Sequence, residues 1–289
     1  MDEPAFKRIP LRNSRVVIWG LGLMGGSLAM ALKDKCGELA GIDTNLNTVT
    51  RAVEMGVVSC ASTRPEEVIL GANLVVLAIP VGAILDALSQ IPEICPDPAV
   101  ILDLGSTKRD VVDAMARLPN RFDPIGGHPM CGKEKSSLEY AEEGLYKEAA
   151  FALVATERTT DRGRSLAEEI VRVIGARPLW MAADVHDQMV AATSHAPYLL
   201  ASALAQATPL DAAPLAGPGF RSVTRLAGSS TEMMLDILRT NTDNVRNAIR
   251  EFKHALENYE MLLEQGNFEL LKDTLEQGAE RYRHLLNGR

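Results

Sequence analysis

Short runs of apolar residues alternate with helical patterns in the first half of the chain. Strands that alternate with helices in this way predict βαβ units around a mostly parallel sheet. The predicted strands are residues 15–19, 39–42, 74–79, 100–102 and 151–155, and helical patterns include residues 26–33 and 48–55.

The pattern changes at about Asp161, after which helices predominate. The predicted helices are residues 161–174, closing at Gly175, then 183–207, 220–227, 232–265 and 268–286, with a turn-rich break at 209–219. We therefore predict an α/β domain at residues 1–181 and an all-α domain at residues 182–289.

Composition narrows the class of protein. Thirty Lys and Arg against thirty-eight Asp and Glu give a net charge of −8, which argues against a nucleic-acid partner. No apolar run is long enough to span a membrane, and the charged N-terminus does not resemble a signal peptide. The four cysteines are widely spaced, so we expect a cytoplasmic protein without disulfides, and we predict no metal site.

A glycine motif follows the first predicted strand. Gly20, Gly22 and Gly25 form GxGxxG between a strand and a helix, the context of a Rossmann-type dinucleotide-binding domain. Asp43 ends the second apolar run, where a carboxylate can accept hydrogen bonds from the adenosine ribose and repel a 2′-phosphate. The cofactor is therefore predicted to be NAD.

Further cofactor contacts are expected beyond the carboxyl ends of the strands. The full predicted set is Gly20, Gly22, Leu23, Met24, Gly25, Asp43, Ile79, Pro80 and Ser106. Ser106 is placed to reach a nicotinamide or a substrate, but it is equally well explained as a helix N-cap, and both roles can hold.

A histidine lies in a segment rich in glycine and proline. Residues 125–134 read IGGHPMCGKE, so we predict that His128 lies in a constrained loop. Imidazole suits proton transfer near neutral pH, and an alcohol that loses hydride must also lose its hydroxyl proton. His128 is a candidate base, with a structural or solvated histidine as the alternative. Cys131 is interpreted as a small apolar residue.

The combined motifs resemble the prephenate dehydrogenase family, which includes arogenate and cyclohexadienyl dehydrogenases. The motifs are the glycine loop, DLGSTK at 103–108, GGHPMCGKE at 126–134, DVHD at 184–187, TSHAP at 193–197 and GFRSVTRLA at 219–227. The resemblance implies NAD-dependent oxidative decarboxylation of prephenate to 4-hydroxyphenylpyruvate in tyrosine biosynthesis. An arogenate or dual-substrate enzyme that gives tyrosine directly is the alternative.

The resemblance also implies roles for individual residues. His128 would accept the proton of the C4 hydroxyl, and Ser106 would orient that histidine. Arg225 would hold a substrate carboxylate, with Glu134 in a gating network near it. An acidic protein that binds a dianion needs such a guanidinium. Arg221, four residues before Arg225, would share its helical face, although a surface ion pair explains Arg221 as well.

Two histidines lie on one predicted helix. His186 and His195 are nine residues apart, which places them on nearly opposite faces unless Pro197 distorts the helix. We predict that Ser194 and His195 line the site. His186 is either a site residue or a structural residue at a helix end.

Two departures from the family pattern leave the substrate open. Tyr198 replaces a histidine common among relatives, and Ser222 replaces an acid. We predict that Tyr198 contacts the substrate, since its hydroxyl can donate a hydrogen bond.

Assembly and other functions are also considered. The apolar stripes at 232–286 predict a homodimer through the helical domain. Alternative functions are another dehydrogenase of this architecture, such as a β-hydroxyacid dehydrogenase or imine reductase, and a non-catalytic NAD sensor.

Overall fold

The computed structural model describes residues 10–133, 135 and 137–287. Within these residues, eight strands form one sheet in the order β3-β2-β1-β4-β5-β6-β7-β8, and only the β6–β7 pair is antiparallel. The strands are β1 (Arg15–Trp19), β2 (Glu38–Ile42), β3 (Cys60–Ser62), β4 (Leu74–Leu77), β5 (Ala99–Asp103), β6 (Phe122–Pro129), β7 (Ala150–Ala155) and β8 (Arg177–Trp180).

Helices follow most of the strands and form the second part of the chain. They are α1 (Leu23–Leu32), α2 (Leu46–Glu54), α3 (Val81–Ile94), α4 (Arg109–Ala116), α5 (Asp161–Val173), α6 (Ala183–Val190), α7 (Ala196–Ala207), α8 (Pro218–Thr224), α9 (Thr231–Thr240), α10 (Thr242–Glu264) and α11 (Phe268–Asn287).

The central strands are buried on both faces. In β1, Val16 and Ile18 pack into one apolar core, whereas Val17 and Trp19 pack into the other. Successive side chains of a strand point to opposite faces, so each run of apolar residues contributes to both cores. This explains why the strands appear as continuous apolar runs in the sequence and confirms the predicted α/β domain.

The prediction that His128 lies in a loop is wrong, because residues 122–129 form strand β6. In the antiparallel register, His128 pairs with Ala152. Glycine is required here by close packing rather than by a turn. A Cβ on Gly127 would lie 2.5 Å from the carbonyl oxygen of Asp103, so only glycine fits between the strands. Strands β3 and β8 were also absent from the prediction.

The helical segments are more interrupted than their apolar pattern indicates. The predicted helix at 183–207 is divided by a π-helical turn at Ala191–His195. The predicted helix at 232–265 breaks at Asn241, between α9 and α10. The helix at 220–227 ends at Thr224, and Arg225–Gly228 form a 3-10 turn. Arg221 and Arg225 therefore do not lie on one continuous α-helix, contrary to prediction.

The chain divides into two compact units, one ending at Asn241 and the other beginning at Thr242. In the second unit, α10 packs against α11. A domain boundary near residue 181 stays a prediction. Among the helices described, none combines the length and apolar character needed to cross a membrane.

Candidate functional site

The predicted site residues gather at one edge of the sheet. Strands β1, β2, β4, β5 and β6 are parallel, so their carboxyl ends meet at the same edge. The glycine loop follows β1, Asp43 follows β2, Ile79 and Pro80 follow β4, Ser106 follows β5, and His128 lies near the end of β6. Ligands of open α/β sheets bind at this edge.

The glycine loop has the close contacts that a dinucleotide site requires. Gly20 has a φ of +100°, and a Cβ there would lie 2.4 Å from the carbonyl oxygen of Ala78. A Cβ on Gly25 would lie 1.8 Å from the carbonyl oxygen of Gly20. Gly22 is the N-cap of α1 and has no side chain to cap it. The N–H groups of the first turn suit a pyrophosphate, so the loop fits a dinucleotide.

Asp43 holds the glycine loop against the end of β2. Its carboxylate accepts hydrogen bonds from the N–H groups of Leu21 at 2.8 Å and Asn45 at 2.9 Å. The side chain is half-buried. A negative charge is thereby fixed beside the loop, in the position predicted for an acid that recognises a ribose.

The end of β5 carries a buried ion pair. Lys108 and Asp103 are both fully buried and paired, and the Lys108 ammonium also donates to the carbonyl oxygen of Gly127 at 2.7 Å. Burial lowers the pKa of Lys108, and the attraction of Asp103 opposes this shift only in part. The pair ties β5 to β6 immediately before His128.

Asp187 connects the helical segment to this edge of the sheet. Its carboxylate accepts hydrogen bonds from the N–H groups of Lys108 at 2.7 Å and Arg109 at 3.0 Å, and so caps α4 from α6. Ser106 is not the N-cap, because that position belongs to Lys108. Burial raises the pKa of Asp187, but hydrogen bonds from His186, Arg109 and Lys108 outweigh burial, and the pKa lies below its ordinary value.

His128 is joined to Asp187 through His186. Nδ1 of His128 lies 2.9 Å from Nε2 of His186, and Nδ1 of His186 lies 2.8 Å from Oδ1 of Asp187. His186 and Asp187 are buried, whereas His128 is half-buried. The described structure therefore contains a continuous chain of side chains from a buried carboxylate to the candidate base.

His128 is held neutral by its surroundings. Burial of the ring lowers its pKa well below the ordinary value, and the nearby His186, Lys108 and His195 lower it further. A neutral imidazole can accept a proton, so the site holds His128 in the form that a general base requires.

A π-helical turn brings His195 to the same cluster. The N–H of Ala196 bonds to the carbonyl oxygen of Ala191 instead of the usual fourth residue back. The turn ends at His195, two residues before Pro197, which has no N–H to continue the regular pattern. His195 is buried, with Nδ1 3.2 Å from the side-chain nitrogen of Asn241. The distortion that Pro197 was expected to introduce is therefore present.

The amide of Asn241 orients the ring of His195. The Asn241 side-chain nitrogen donates to the carbonyl oxygen of Asp187 at 2.7 Å, which orients this donor toward Nδ1 of His195. Burial lowers the pKa of His195 to about 4; the charge of Asp187 opposes this shift, and the nearby His186 adds to it.

We expect the protein to lose stability as the pH falls below neutral. A histidine whose pKa is depressed from 6.5 to about 4 in the folded state stabilises the fold above pH 6.5, and this contribution is lost toward pH 4. Between pH 7.5 and 5 the loss from His195 is about 2 kcal/mol, and His128 acts in the same direction. Urea unfolding at both pH values measures it. His195→Asn should reduce the pH dependence, whereas the exposed His254→Asn should not. If the stability of His195→Asn depends on pH as strongly as that of the unsubstituted protein, the depressed pKa of His195 is not the cause.

The other predicted residues lie around this cluster. Ser106 is half-buried at the end of β5, Ser194 is exposed on the π-helical turn, and Tyr198 is half-buried on the first turn of α7. Arg225 is exposed on a 3-10 turn that packs against α7. Glu134 lies outside the described residues. No hydrogen bond described for this chain joins Ser106, Ser194 or Tyr198 to His128.

Several site residues were not predicted from the sequence. Asp103, Lys108, Asp187 and Asn241 were not singled out, although all but Asn241 lie in motifs that carried the family resemblance. For Asp103, Lys108 and Asp187, a charged residue within a motif is the signal that could have identified them; Asn241 offers no such signal. Burial also raises the pKa of Cys131 to about 11, so its thiol is protonated at neutral pH.

Sequence models of one protein family match most of the chain. The model described as "Prephenate dehydrogenase, nucleotide-binding domain" matches residues 28–179, and "Prephenate dehydrogenase, dimerization domain" matches residues 182–277. A prephenate dehydrogenase of Bacillus subtilis is 32% identical over 270 residues, with 89% of this chain and 72% of that protein covered.

Two solved structures share the fold over nearly their whole length. One is the prephenate dehydrogenase of A. aeolicus in complex with hydroxyphenyl propionate and NAD+, with a TM-score of 0.87, 28% identity, and coverage of 94% of this chain and 98% of that one. The other is Synechocystis arogenate dehydrogenase, with a TM-score of 0.81, 26% identity, and coverage of 93% and 99%.

Proposed function

For this chain, which belongs to the prephenate dehydrogenase family, we propose the oxidative decarboxylation of prephenate to 4-hydroxyphenylpyruvate. The chain is an NAD-dependent oxidoreductase. The finer choice of prephenate over arogenate is our proposal. Arogenate, whose side chain carries an amino group in place of the keto group, is the second candidate. Tyr198 cannot be cationic at pH 7, so it would not repel that amino group.

The chemistry requires a base that can also return a proton. Bound NAD+ supplies the acceptor for the hydride that leaves C4. His128 accepts the proton of the C4 hydroxyl, so that a carbonyl forms at C4. When the C1 carboxylate leaves as CO2, the electron pair of the broken bond aromatises the ring and places negative charge on the C4 oxygen. Protonated His128 then returns its proton to that oxygen and regains its neutral form.

The observation that carries the proposal is the position of His128. It is half-buried at the carboxyl edge of the sheet, on the same edge as the glycine loop, and its pKa is depressed. Steady-state assays with prephenate, arogenate and a panel of hydroxy acids test it. We expect NADH and 4-hydroxyphenylpyruvate from prephenate. Turnover of a hydroxy acid alone would favour another dehydrogenase, and NAD binding without any turnover would favour a sensor.

We expect NAD to exceed NADP by at least ~10-fold in kcat/KM, because repulsion between Asp43 and a 2′-phosphate should exceed ~1.4 kcal/mol. Asp43→Asn should narrow this ratio while it keeps an oxygen that can accept a hydrogen bond at the glycine loop. Initial rates with both cofactors provide the measurement. Equal efficiency of NAD and NADP in the unsubstituted enzyme would contradict the role of Asp43.

We also propose a homodimer formed through the helical half. On α10, Phe252, Leu256 and Leu263 are exposed and share one helical stripe, and the matched family model describes a dimerisation domain. Leu263→Glu should weaken the dimer, whereas Asn258→Glu, on the opposite face of α10, should not. Sedimentation equilibrium measures this. A stable monomer at micromolar concentration would contradict the proposal.

A further inference from the structure

The geometry points to His186 and Asp187 as a positioning pair that fixes the tautomer of His128, with the proton on Nδ1 and the lone pair on Nε2. This inference rests on the proposed function only for its kinetic consequence. The tautomer itself is a property of the enzyme without substrate.

The proton positions follow from the partners at each end of the chain of hydrogen bonds. Both carboxylate oxygens of Asp187 already accept hydrogen bonds from the backbone N–H groups of Lys108 and Arg109. Those contacts favour the ionised carboxylate, which can only accept. The 2.8 Å contact to Nδ1 of His186 therefore requires a proton on that nitrogen.

The next hydrogen bond is then determined. In a neutral imidazole, a proton on Nδ1 leaves Nε2 as an acceptor. The 2.9 Å contact between this nitrogen and Nδ1 of His128 requires that His128 donate. Its own Nε2 is left with the lone pair that a general base uses. In the opposite tautomer, two lone pairs would face each other across that contact.

The surroundings support this arrangement when His128 becomes charged. The groups that face His128 are His186 on α6, Lys108 at the start of α4 and His195 on the π-helical turn. The cationic Lys108 opposes a second positive charge. Asp187 lies one imidazole ring away and offsets part of that repulsion, as a carboxylate does behind a catalytic histidine.

A merely structural role for His186 makes a different prediction. His186 also links α6 to β6, so any substitution is expected to lower stability. Glutamine and leucine separate the two roles. His186→Gln keeps an oxygen that accepts from Nδ1 of His128, whereas His186→Leu provides no acceptor. If His186 acts only through packing, both variants should lose activity in proportion to their loss of stability. If it fixes the tautomer of His128, the glutamine variant should keep most of the activity that the leucine variant loses.

The direct test is nitrogen NMR of the enzyme labelled with ¹⁵N-histidine, without substrate, at pH 7.5. The signals of His128 are assigned with His128→Asn, and His254→Gln is the exposed control. We expect the proton on Nδ1 in the unsubstituted enzyme and in His186→Gln, but a shift toward the Nε2–H form in His186→Leu. A proton on Nε2 in the unsubstituted enzyme overturns the inference, even if the leucine variant does not fold.

Kinetics then test the consequence. We expect His186→Leu to lower kcat by about 10–100-fold with little change in KM, and His186→Gln to recover most of the loss. Equal loss of kcat in both folded variants overturns the positioning role. If the NMR result is as expected but prephenate is not turned over, the proposed function fails while the tautomer assignment stands.

Discussion

Replacing His128 with asparagine should lower kcat by about 10²–10⁴-fold with little change in KM. Asparagine keeps hydrogen-bonding capacity but cannot accept the proton of the C4 hydroxyl. The lost interaction develops only as that proton leaves, so ground-state binding is preserved. Steady-state kinetics with prephenate measure the effect, and His254→Asn on the exposed face of α10 is the matched control.

The pH dependence of kcat/KM provides a second test of His128→Asn. Burial and three neighbouring side chains depress the pKa of His128, so the neutral base persists below pH 6.5. We therefore expect kcat/KM to hold at neutral pH and to fall only at more acidic pH, where His128 becomes protonated. This acid limb should disappear in His128→Asn. A variant that keeps the limb, or that changes only KM, would mean that another group is the base.

Replacing Arg225 with alanine should act mainly on KM. The arginine is proposed to bind a carboxylate that is charged before the reaction begins, and loss of such a pair costs about 2–4 kcal/mol. That free energy corresponds to a rise in KM of about 30–900-fold. Some loss of kcat is expected if the guanidinium also assists departure of CO2.

Two further variants sharpen the result for Arg225. Arg225→Lys keeps the charge but loses the planar pair of donors, so its KM should fall between those of the enzyme and the alanine variant. Arg221→Ala is the matched neighbour, since Arg221 is exposed and donates to the carbonyl oxygen of Ala216 at 3.2 Å. A loss confined to kcat in Arg225→Ala would show that the assigned role is wrong.

The cofactor loop and the central strands β1, β2, β4 and β5 were predictable because their signals are local. The tight turn at Gly20 and the close packing of Gly25 each exclude a side chain, and the apolar runs of a doubly covered sheet are continuous in sequence. Asp43 follows its strand directly. Each of these features depends on a few neighbouring residues, so the pattern of residue types was enough to identify it.

Strand β6 was not predicted because the contacts that require its glycine are distant in sequence. Glycine and proline normally interrupt strands, but Gly127 is required by the carbonyl of Asp103 on the neighbouring strand. That neighbour is 24 positions earlier in the chain. The helix break at Asn241 was also not predicted. The side chain of Asn241 bonds to Asp187 and His195, which lie far from it in sequence.

The sequence by itself determined the alternation of strands and helices, the cofactor loop, the acid beside it and the identity of the candidate base. Only the tertiary structure decided which polar groups are buried together. It placed Asp187 on the N–H groups of α4, turned His195 inward through the π-helical turn, and set His186 between Asp187 and His128. The physical reason is that a buried polar group is stable only when its hydrogen bonds are satisfied. Its partners here lie on elements distant in the chain, and their arrangement fixes the proton positions on which the proposed chemistry depends.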